Sequence, residues 1–397
     1  MKKYTYLIIG GGMAAASAVK GIREVDSGGS IGLFSKESVP PYNRPPLSKG
    51  LWDEDGPDKE DIWREMDAIH NLDMYLDTAI VEINREEQLV FDEQSNQFHY
   101  EKLLLATGGD PTTLPFDEEG EHILYFRTLK DFERLYAESQ EKDTFGVIGG
   151  GFIGAEIAAS LREKNRKVVM LFPEHAIGSL RYPEQVAELI TNEFKRKGIQ
   201  VLGGEMVNNV IPTEDRYTIT TQSGKSMVVD QVIAGIGISP NLSLAESIGL
   251  EVEDGIIVDK TLRTSDINIW AAGDVASFYS PHLEERIRVE HAENAKQMGR
   301  LAGKNMAGET EPYNILPLFY SDMFDMGYEA VGELNPEMKV IIDWKKKPEK
   351  GVVYYLDEAK GSVRGVILWN IWGKVDQARD LIASEEQFKP VDLVNRI

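Results

Sequence analysis

Apolar positions open the chain in an unbroken run, Tyr6, Leu7, Ile8 and Ile9, and three glycines and a string of small residues follow at once. That order predicts a buried parallel strand, a tight turn and a helix. The same pattern returns at Phe145–Ala158, FGVIGGGFIGAEIA. Apolar-rich stretches at Ser30–Ser35, Tyr100–Ala106, Lys167–Phe172 and Val228–Gly237 predict further buried strands, with shorter ones at Ile256–Asp259 and Ile267–Trp270. Ala79–Phe91 alternates around a charged centre and predicts a hairpin. Helical spacing is expected at Phe126–Ala137, Glu184–Lys197 and Val289–Ala307, the last starting at Glu290-His291. Asp53–Asn71 reads as an acidic amphipathic helix region with Trp63 and Met66 inward. Four prolines stiffen Val39–Leu51, and Pro111–Gly120 is a Pro- and acid-rich connection. From Pro317 the apolar positions become aromatic, with strands expected at Gly351–Asp357 and Ser362–Asn370 and a helix at Lys374–Ser384. The expected fold is α/β, two Rossmann-like dinucleotide-binding domains plus a small α+β C-terminal domain. The expected boundaries are 1–123 with 240–316, then 124–239, then 317–397.

The glycine turns carry the chemistry. Gly10, Gly12 and Ala15 give G-x-G-x-x-A, and Gly149, Gly151 and Gly154 give G-x-G-x-x-G. The first glycine makes the turn, the second admits a pyrophosphate, and the small third residue lets helix pack on strand. Unpaired N–H groups and a partial positive charge at each helix N-terminus suit phosphate. Two such turns suggest two dinucleotides with electrons passing between them. An acid usually follows the second strand of such a unit and binds a ribose. After Ser35 the candidates are Lys36 and Glu37; after Phe172 it is Glu174, which favours NADH over NADPH, with Arg166 and Arg181 nearby in sequence. Arg44 and Lys49 are the cations of the proline arm, which is either a solvated loop or a rigid arm placing two charges beside an anionic cofactor. Asp274, after Gly273, is either a flavin-ribityl contact or a helix cap.

The chain has 397 residues, 42% hydrophobic and 27% charged, as expected of a globular protein of two to three domains. Its net charge of −23 disfavours nucleic acid and anionic membrane as partners. There is no cysteine, which excludes a disulfide framework, a thiol relay and a cysteine nucleophile. No His or carboxylate cluster has metal-ligand spacing, so no metal is expected. MKK runs straight into the first strand and no apolar run reaches the ~20 residues of a membrane span, so the cytoplasm is the expected location.

With both glycine turns, the Arg44–Lys49 arm, Ala106-Thr107-Gly108 and Gly273-Asp274 in order, the chain resembles the two-dinucleotide flavoprotein reductases. More closely, it is similar to apoptosis-inducing factor and its bacterial relatives. The similarity rests on YNRPPLSKGLW at 42–52, Val147–Ala158, LFPE at 171–174, WAAGDVASFY at 270–279, VEH at 289–291, FYSDMFDMGYEAVG at 319–332 and VILWNI at 366–371. It implies that Gly10, Gly12, Arg44, Lys49, Arg127, Asp274, His291 and Ala292 hold FAD. Gly149, Gly150, Gly151, Phe152, Ile153, Gly154, Glu156, Glu174, Gly237, Glu290, Glu329 and Asn370 would hold NAD. Met13, Ala14, Glu37, Ile80, Thr107, Gly108, Gly273 and Tyr320 complete the cofactor-binding positions. Lys49 and Glu156 resemble an ion pair beside the flavin, and Phe152 would sit next to the isoalloxazine. The sequence departs from the family at Tyr320, where a Trp is usual, at Ala292, where a second His is usual, and between Leu334 and Gly351, where a long insertion is missing.

The expected activity is transfer of a hydride from NADH to FAD, with electrons passed on to oxygen, a quinone or a small redox protein. Lys49 and the N-terminus of the Glu290 helix would stabilise the negative charge that reduction brings, and Glu156 would orient Lys49. Two alternatives stand beside it. One is a ferredoxin- or rubredoxin-type reductase. The other is a slow NADH-responsive switch that changes oligomeric state, as a homodimer, through a charge-transfer complex.

Overall fold

The computed structural model describes residues 1–117 and 120–397; Glu118 and Glu119 of the expected Pro111–Gly120 connection lie outside the described residues. The chain divides into two compact units. The first is Met1–Arg44, Asp58–Asp110 and Ser239–Pro317, and the second is Pro45–Pro57, Pro111–Ile238 and Leu318–Ile397.

In the first unit the strand Lys2–Ile9 lies between Ile31–Phe34 and Gln97–Leu105, parallel to both. Leu72–Tyr75 extends the sheet on one side, the antiparallel pair Ile80–Asn84 and Leu89–Asp92 on the other, and Ile269–Ala271 runs parallel to Gln97–Leu105. Leu7, Ile8, Leu33, Leu103, Leu104 and Ile269 are fully buried, which is why these strands read as apolar runs without alternation. The helix Met13–Val25 packs against the helix Ala292–Met306. Their approach requires the small residues: a Cβ on Gly299 would stand 2.1 Å from the Ala14 carbonyl oxygen, and one on Gly303 2.1 Å from that of Ala18.

In the second unit a parallel sheet runs in the order Gln200–Gly203, Lys167–Phe172, Thr144–Ile148, Gln231–Ala234, Leu124–Tyr125. A three-stranded antiparallel sheet, Val207–Pro212, Tyr217–Thr221 and Ser226–Val229, stands beside it. A five-stranded antiparallel sheet follows, in the order Leu318–Met323, Met326–Gly332, Ser362–Trp369, Lys350–Asp357, Lys339–Lys346, with the helix Val375–Ala383 against it.

Several expected elements change. Asp53–Asn71 is not an α-helix. Among its residues only Lys59–Ile62 form a short 3-10 turn, because Gly56 and Pro57 close a tight loop against Gly50 and Trp63 bridges to Tyr42 instead. The expected strand Val228–Gly237 is two strands in different sheets. Asp230 ends the first, accepting from the Thr144 amide at 2.8 Å, and the chain crosses to the parallel sheet. The helix expected from Glu290 begins at Ala292, with His291 extended at its N-cap (φ −104°, ψ 136°). The helix expected from Phe126 begins at Leu129, because Thr128 and Asp131 form a capping box. Lys339–Lys346, between Leu334 and Gly351, is an edge strand.

One ion pair gives the second unit a pH dependence. Glu205 lies 2.6 Å from the Lys225 ammonium and accepts from the Ser223 hydroxyl at 2.6 Å. Lys225, then Ser223 and Thr221, hold its carboxyl down from 4.5 to about 2. A depressed carboxyl stabilises the fold above its unfolded value, and that contribution fades as pH falls toward about 2. Lys225→Met should therefore lower Tm near neutral pH, with the gap to wild type closing on acidification. A gap that stayed constant between neutral and acidic pH would contradict this.

Candidate functional site

Each glycine turn leaves the carboxyl end of a central strand where its neighbours diverge, the usual place for a nucleotide in an open α/β sheet. Gly10 has φ +134°, and a Cβ there would meet the Ala106 carbonyl oxygen at 2.1 Å. Gly149 has φ +117°, and a Cβ there would meet the Gly235 carbonyl oxygen at 2.4 Å. These positions need glycine to turn. Gly12 and Gly151 are different. They are the N-caps of Met13–Val25 and Phe152–Glu163, and a Cβ on either would meet nothing within 4 Å. Open space in front of two helix N-termini, with no side chain capping either, fits a pyrophosphate at each turn.

In the first unit Met13, Ala14 and Ile80 are buried, and Gly108 and Gly273 turn with positive φ. Thr107 donates to the Asn241 carbonyl at 3.0 Å. Glu37 is engaged at both oxygens, by the Arg44 guanidinium and the Tyr42 hydroxyl, each at 2.6 Å. Burial opposes the charge of Arg44, but Tyr42, Glu37 and Asp274 together hold its pKa above the ordinary value. Arg288 binds the Asp274 carbonyl at 3.1 Å and the Glu290 carboxylate at 2.8 Å. His291 and Ala292 sit at the start of the last helix of this unit. Arg64, which the sequence did not single out, ties the arm to the first glycine-turn helix: it donates to Asn43 Oδ1 at 3.1 Å and to Ser17 Oγ at 2.9 Å.

The second unit holds a buried polar cluster around Glu156. Glu156, 5% exposed, accepts from Ser48 Oγ and Ser321 Oγ at 2.6 Å each, and Lys49 Nζ lies 3.0 Å away. Lys49 Nζ also stands 4.4 Å from the Tyr320 ring centroid and 3.3 Å from the Tyr320 carbonyl oxygen. Phe152 packs on Phe319 at 5.2 Å and under the Arg181 guanidinium at 5.4 Å. The Glu174 carboxylate makes no hydrogen bond or ion pair among the described residues. Glu329 Oε2 is buried and without a partner among the described residues, and burial raises its carboxyl above the ordinary range. Asn370, at φ 49°, spends its side-chain amide on the Gly327 amide and the Glu349 carbonyl, each at 2.8 Å. Gly237 turns with φ +110° into open space. An open turn, a free acid after the second strand and an orphaned carboxyl oxygen fit a dinucleotide.

The structure thus gathers Lys49, Phe152, Glu156 and Tyr320 in one unit. Lys49 and Arg127, expected at the flavin, belong to the second unit, and Glu290, expected at NAD, belongs to the first. Ser48 and Ser321 were missed; serines in an arm and in a strand carry no signal of their own. Among the described residues no group of His, Asp and Glu is placed to hold a metal. No described helix is long and apolar enough to cross a membrane.

The family described as pyridine nucleotide-disulphide oxidoreductase matches residues 4–299. The chain belongs to this family. It is 33% identical to the mitochondrial apoptosis-inducing factor 1 of Dictyostelium discoideum, over 96% of this chain and 79% of that protein. It is 29% identical to putidaredoxin reductase of Pseudomonas putida, over 88% and 85%. Among solved structures, putidaredoxin reductase in covalent complex with putidaredoxin superposes with a TM-score of 0.92 at 27% identity, covering 100% of this chain and 96% of that one. A ferredoxin reductase from Rhodopseudomonas palustris gives 0.91 at 27% identity, covering 98% and 97%. The chain is an NADH-dependent flavoprotein oxidoreductase of apoptosis-inducing-factor type that uses FAD and NAD(H). Having no cysteine, it cannot carry disulphide chemistry on its own side chains.

Proposed function

We propose that the FAD domain is 1–123 with 240–316, the NAD domain 124–239 and the α+β domain 317–397, and that the Lys49–Glu156 pair is where the hydride transfer is controlled. The observation that carries this is the Lys49 ammonium held by a buried carboxylate at 3.0 Å beside the partly exposed Tyr320 ring. Gly10, Gly12, Met13, Ala14, Glu37, Arg44, Lys49, Ile80, Thr107, Gly108, Arg127, Gly273, Asp274, His291 and Ala292 would hold FAD. Gly149 to Gly154, Glu174, Gly237, Glu290, Tyr320, Glu329 and Asn370 would hold NADH. Bound FAD supplies the hydride acceptor and passes electrons onward. Glu156 fixes the ammonium, the ammonium offsets the negative charge that reduction brings, and Tyr320 offers a face for stacking. Glu174 repels a 2′-phosphate and so selects NADH.

The acceptor is a small iron–sulfur protein. Supporting this, the chain covers nearly the whole of two reductases named for small redox proteins, putidaredoxin and ferredoxin. With a net charge of −23, the enzyme would favour an acceptor with a neutral or basic docking face. Stopped-flow reoxidation by oxygen, by a soluble quinone and by a [2Fe–2S] ferredoxin with a neutral or basic docking face tests it: the ferredoxin should be fastest, and the reading fails if oxygen or quinone matches it. A second reading rests on the 33% identity to an apoptosis-inducing factor. In it, turnover is slow and NADH drives dimerisation, which sizing chromatography with and without NADH would reveal.

A further inference from the structure

The fold buries part of the Arg64 side chain without giving it a carboxylate. Its Nη1 donates to Asn43 Oδ1 at 3.1 Å and its Nη2 to Ser17 Oγ at 2.9 Å, both neutral acceptors. Its Nε is buried and has no hydrogen-bond partner among the described residues. Burial pulls its pKa below the ordinary value, and Glu293 is the opposite charge that counters this. The Glu293 carboxylate is itself engaged, by Lys296 at 3.4 Å and by Gln297 at 3.0 Å. Taking a guanidinium out of water costs free energy that neutral partners offset only in part, so an arginine is a poor choice here for stability alone.

Its position supplies another reason. Residues 41–43 of the proline arm pair with 62–64. The Asn43 amide donates to the Ile62 carbonyl at 2.8 Å, the Arg64 amide donates to the Pro41 carbonyl at 2.9 Å, and Tyr42 and Trp63 bridge between them with their rings edge-on at 6.1 Å. The Arg64 side chain joins this ribbon to the helix of the first glycine turn. Ser17 is the fifth residue of that helix, about 7.5 Å along its axis from Gly12. Asn43, the other acceptor, stands next to Arg44 in the chain. One guanidinium therefore sets the spacing between the open helix N-terminus and the cation of the arm, and its own charge has the sign that a pyrophosphate favours.

We propose that Arg64 is a positioning residue for FAD: it clasps the arm that carries Arg44 to the helix that follows Gly12, and so slows release of the flavin. This rests on the assignment of the first glycine turn to FAD above. The test compares Arg64→Met with Arg23→Met. Arg23 lies in the last turn of the same helix and is also partly buried, with its pKa pulled down by burial, but it binds the Asp26, Gly29 and His70 carbonyls instead. FAD release from the holoenzyme, followed as the rise in flavin fluorescence after dilution, should be roughly 10-fold faster in Arg64→Met and within about twofold of wild type in Arg23→Met. Thermal melts of the flavin-stripped chains should give the opposite order, with Arg23→Met the less stable of the two. An arginine with a merely structural role would not produce that reversal. Ser17→Ala removes one acceptor and favours the helix, so it keeps the test open should Arg64→Met fail to fold; it should speed release roughly 3-fold. Release from Arg64→Met no faster than from Arg23→Met, the same order of the two variants in both readouts, or wild-type release from Ser17→Ala would overturn the proposal. If Gly12→Ala itself kept FAD as tightly as wild type, the underlying site assignment would fall instead.

Discussion

Lys49→Met is expected to slow reduction of the bound flavin by NADH roughly 10²-fold, the loss typical of removing one preorganised charge from a site where charge develops. The side chain is pinned from three sides: Glu156 at 3.0 Å, the Tyr320 ring at 4.4 Å and the Tyr320 carbonyl at 3.3 Å. It is only 15% exposed, so its field is less screened than that of a surface lysine. Methionine keeps most of the volume and loses the charge, so a fall in rate reports electrostatics rather than a hole. NADH binding should change little, and the flavin reduction potential should fall with the rate, because the ammonium favours the more negative, reduced state. Glu156→Gln should give a smaller loss. It keeps acceptor capacity for one serine but leaves Lys49 without its carboxylate and free to turn toward Tyr320. Stopped-flow reduction together with a potentiometric titration measures both variants. An unchanged rate and potential in Lys49→Met would remove the charge from the mechanism.

The two glycine turns were legible because their signal is local: apolar strand, glycines and small-residue helix are contiguous, and the backbone constraint at Gly10 and Gly149 comes from the turn itself. Parallel strands such as Lys167–Phe172 were legible for the same reason, as runs buried on both faces. The failures share a cause, which is tertiary override of local pattern. Val228–Gly237 is mostly apolar, yet it feeds two sheets because Asp230 finds the amides of Asp143 and Thr144 far away in sequence. Asp53–Asn71 has helical spacing, but its backbone is taken by the bridge from Trp63 to Tyr42 and by Arg64, whose amide donates to the Pro41 carbonyl at 2.9 Å. The site was legible in its charges and not in its hydroxyls. Lys49 is conspicuous as a cation in a proline arm, and Glu156 entered through the family resemblance. Ser48 and Ser321 are ordinary residues until the fold brings them to the same carboxylate.

Gly151→Ala and Gly149→Ala should separate nucleotide binding from folding. Gly151 has an ordinary φ of −82° and open space where a methyl would stand, so the variant should fold with stability within about 1 kcal/mol of wild type. Its methyl, however, occupies the approach to the helix N-terminus. NADH affinity should fall roughly 10²-fold, about 2.7 kcal/mol, while FAD stays bound at the other turn. Gly149→Ala faces the opposite balance. At φ +117° with its Cβ 2.4 Å from the Gly235 carbonyl oxygen, alanine must strain the backbone and push the neighbouring strand end. The expected cost is about 3 kcal/mol or more of stability, read as a large drop in Tm. The pair at the first turn repeats the contrast for flavin: Gly12→Ala should fold and fail to retain FAD, whereas Gly10→Ala, whose Cβ would stand 2.1 Å from the Ala106 carbonyl oxygen, should fold poorly. Thermal melts of the flavin-stripped chains and titrations with FAD and NADH decide all four. A folded Gly151→Ala protein that bound NADH as tightly as wild type would mean that the second turn is not where the dinucleotide sits, because nothing else at that position stands between the methyl and the helix end.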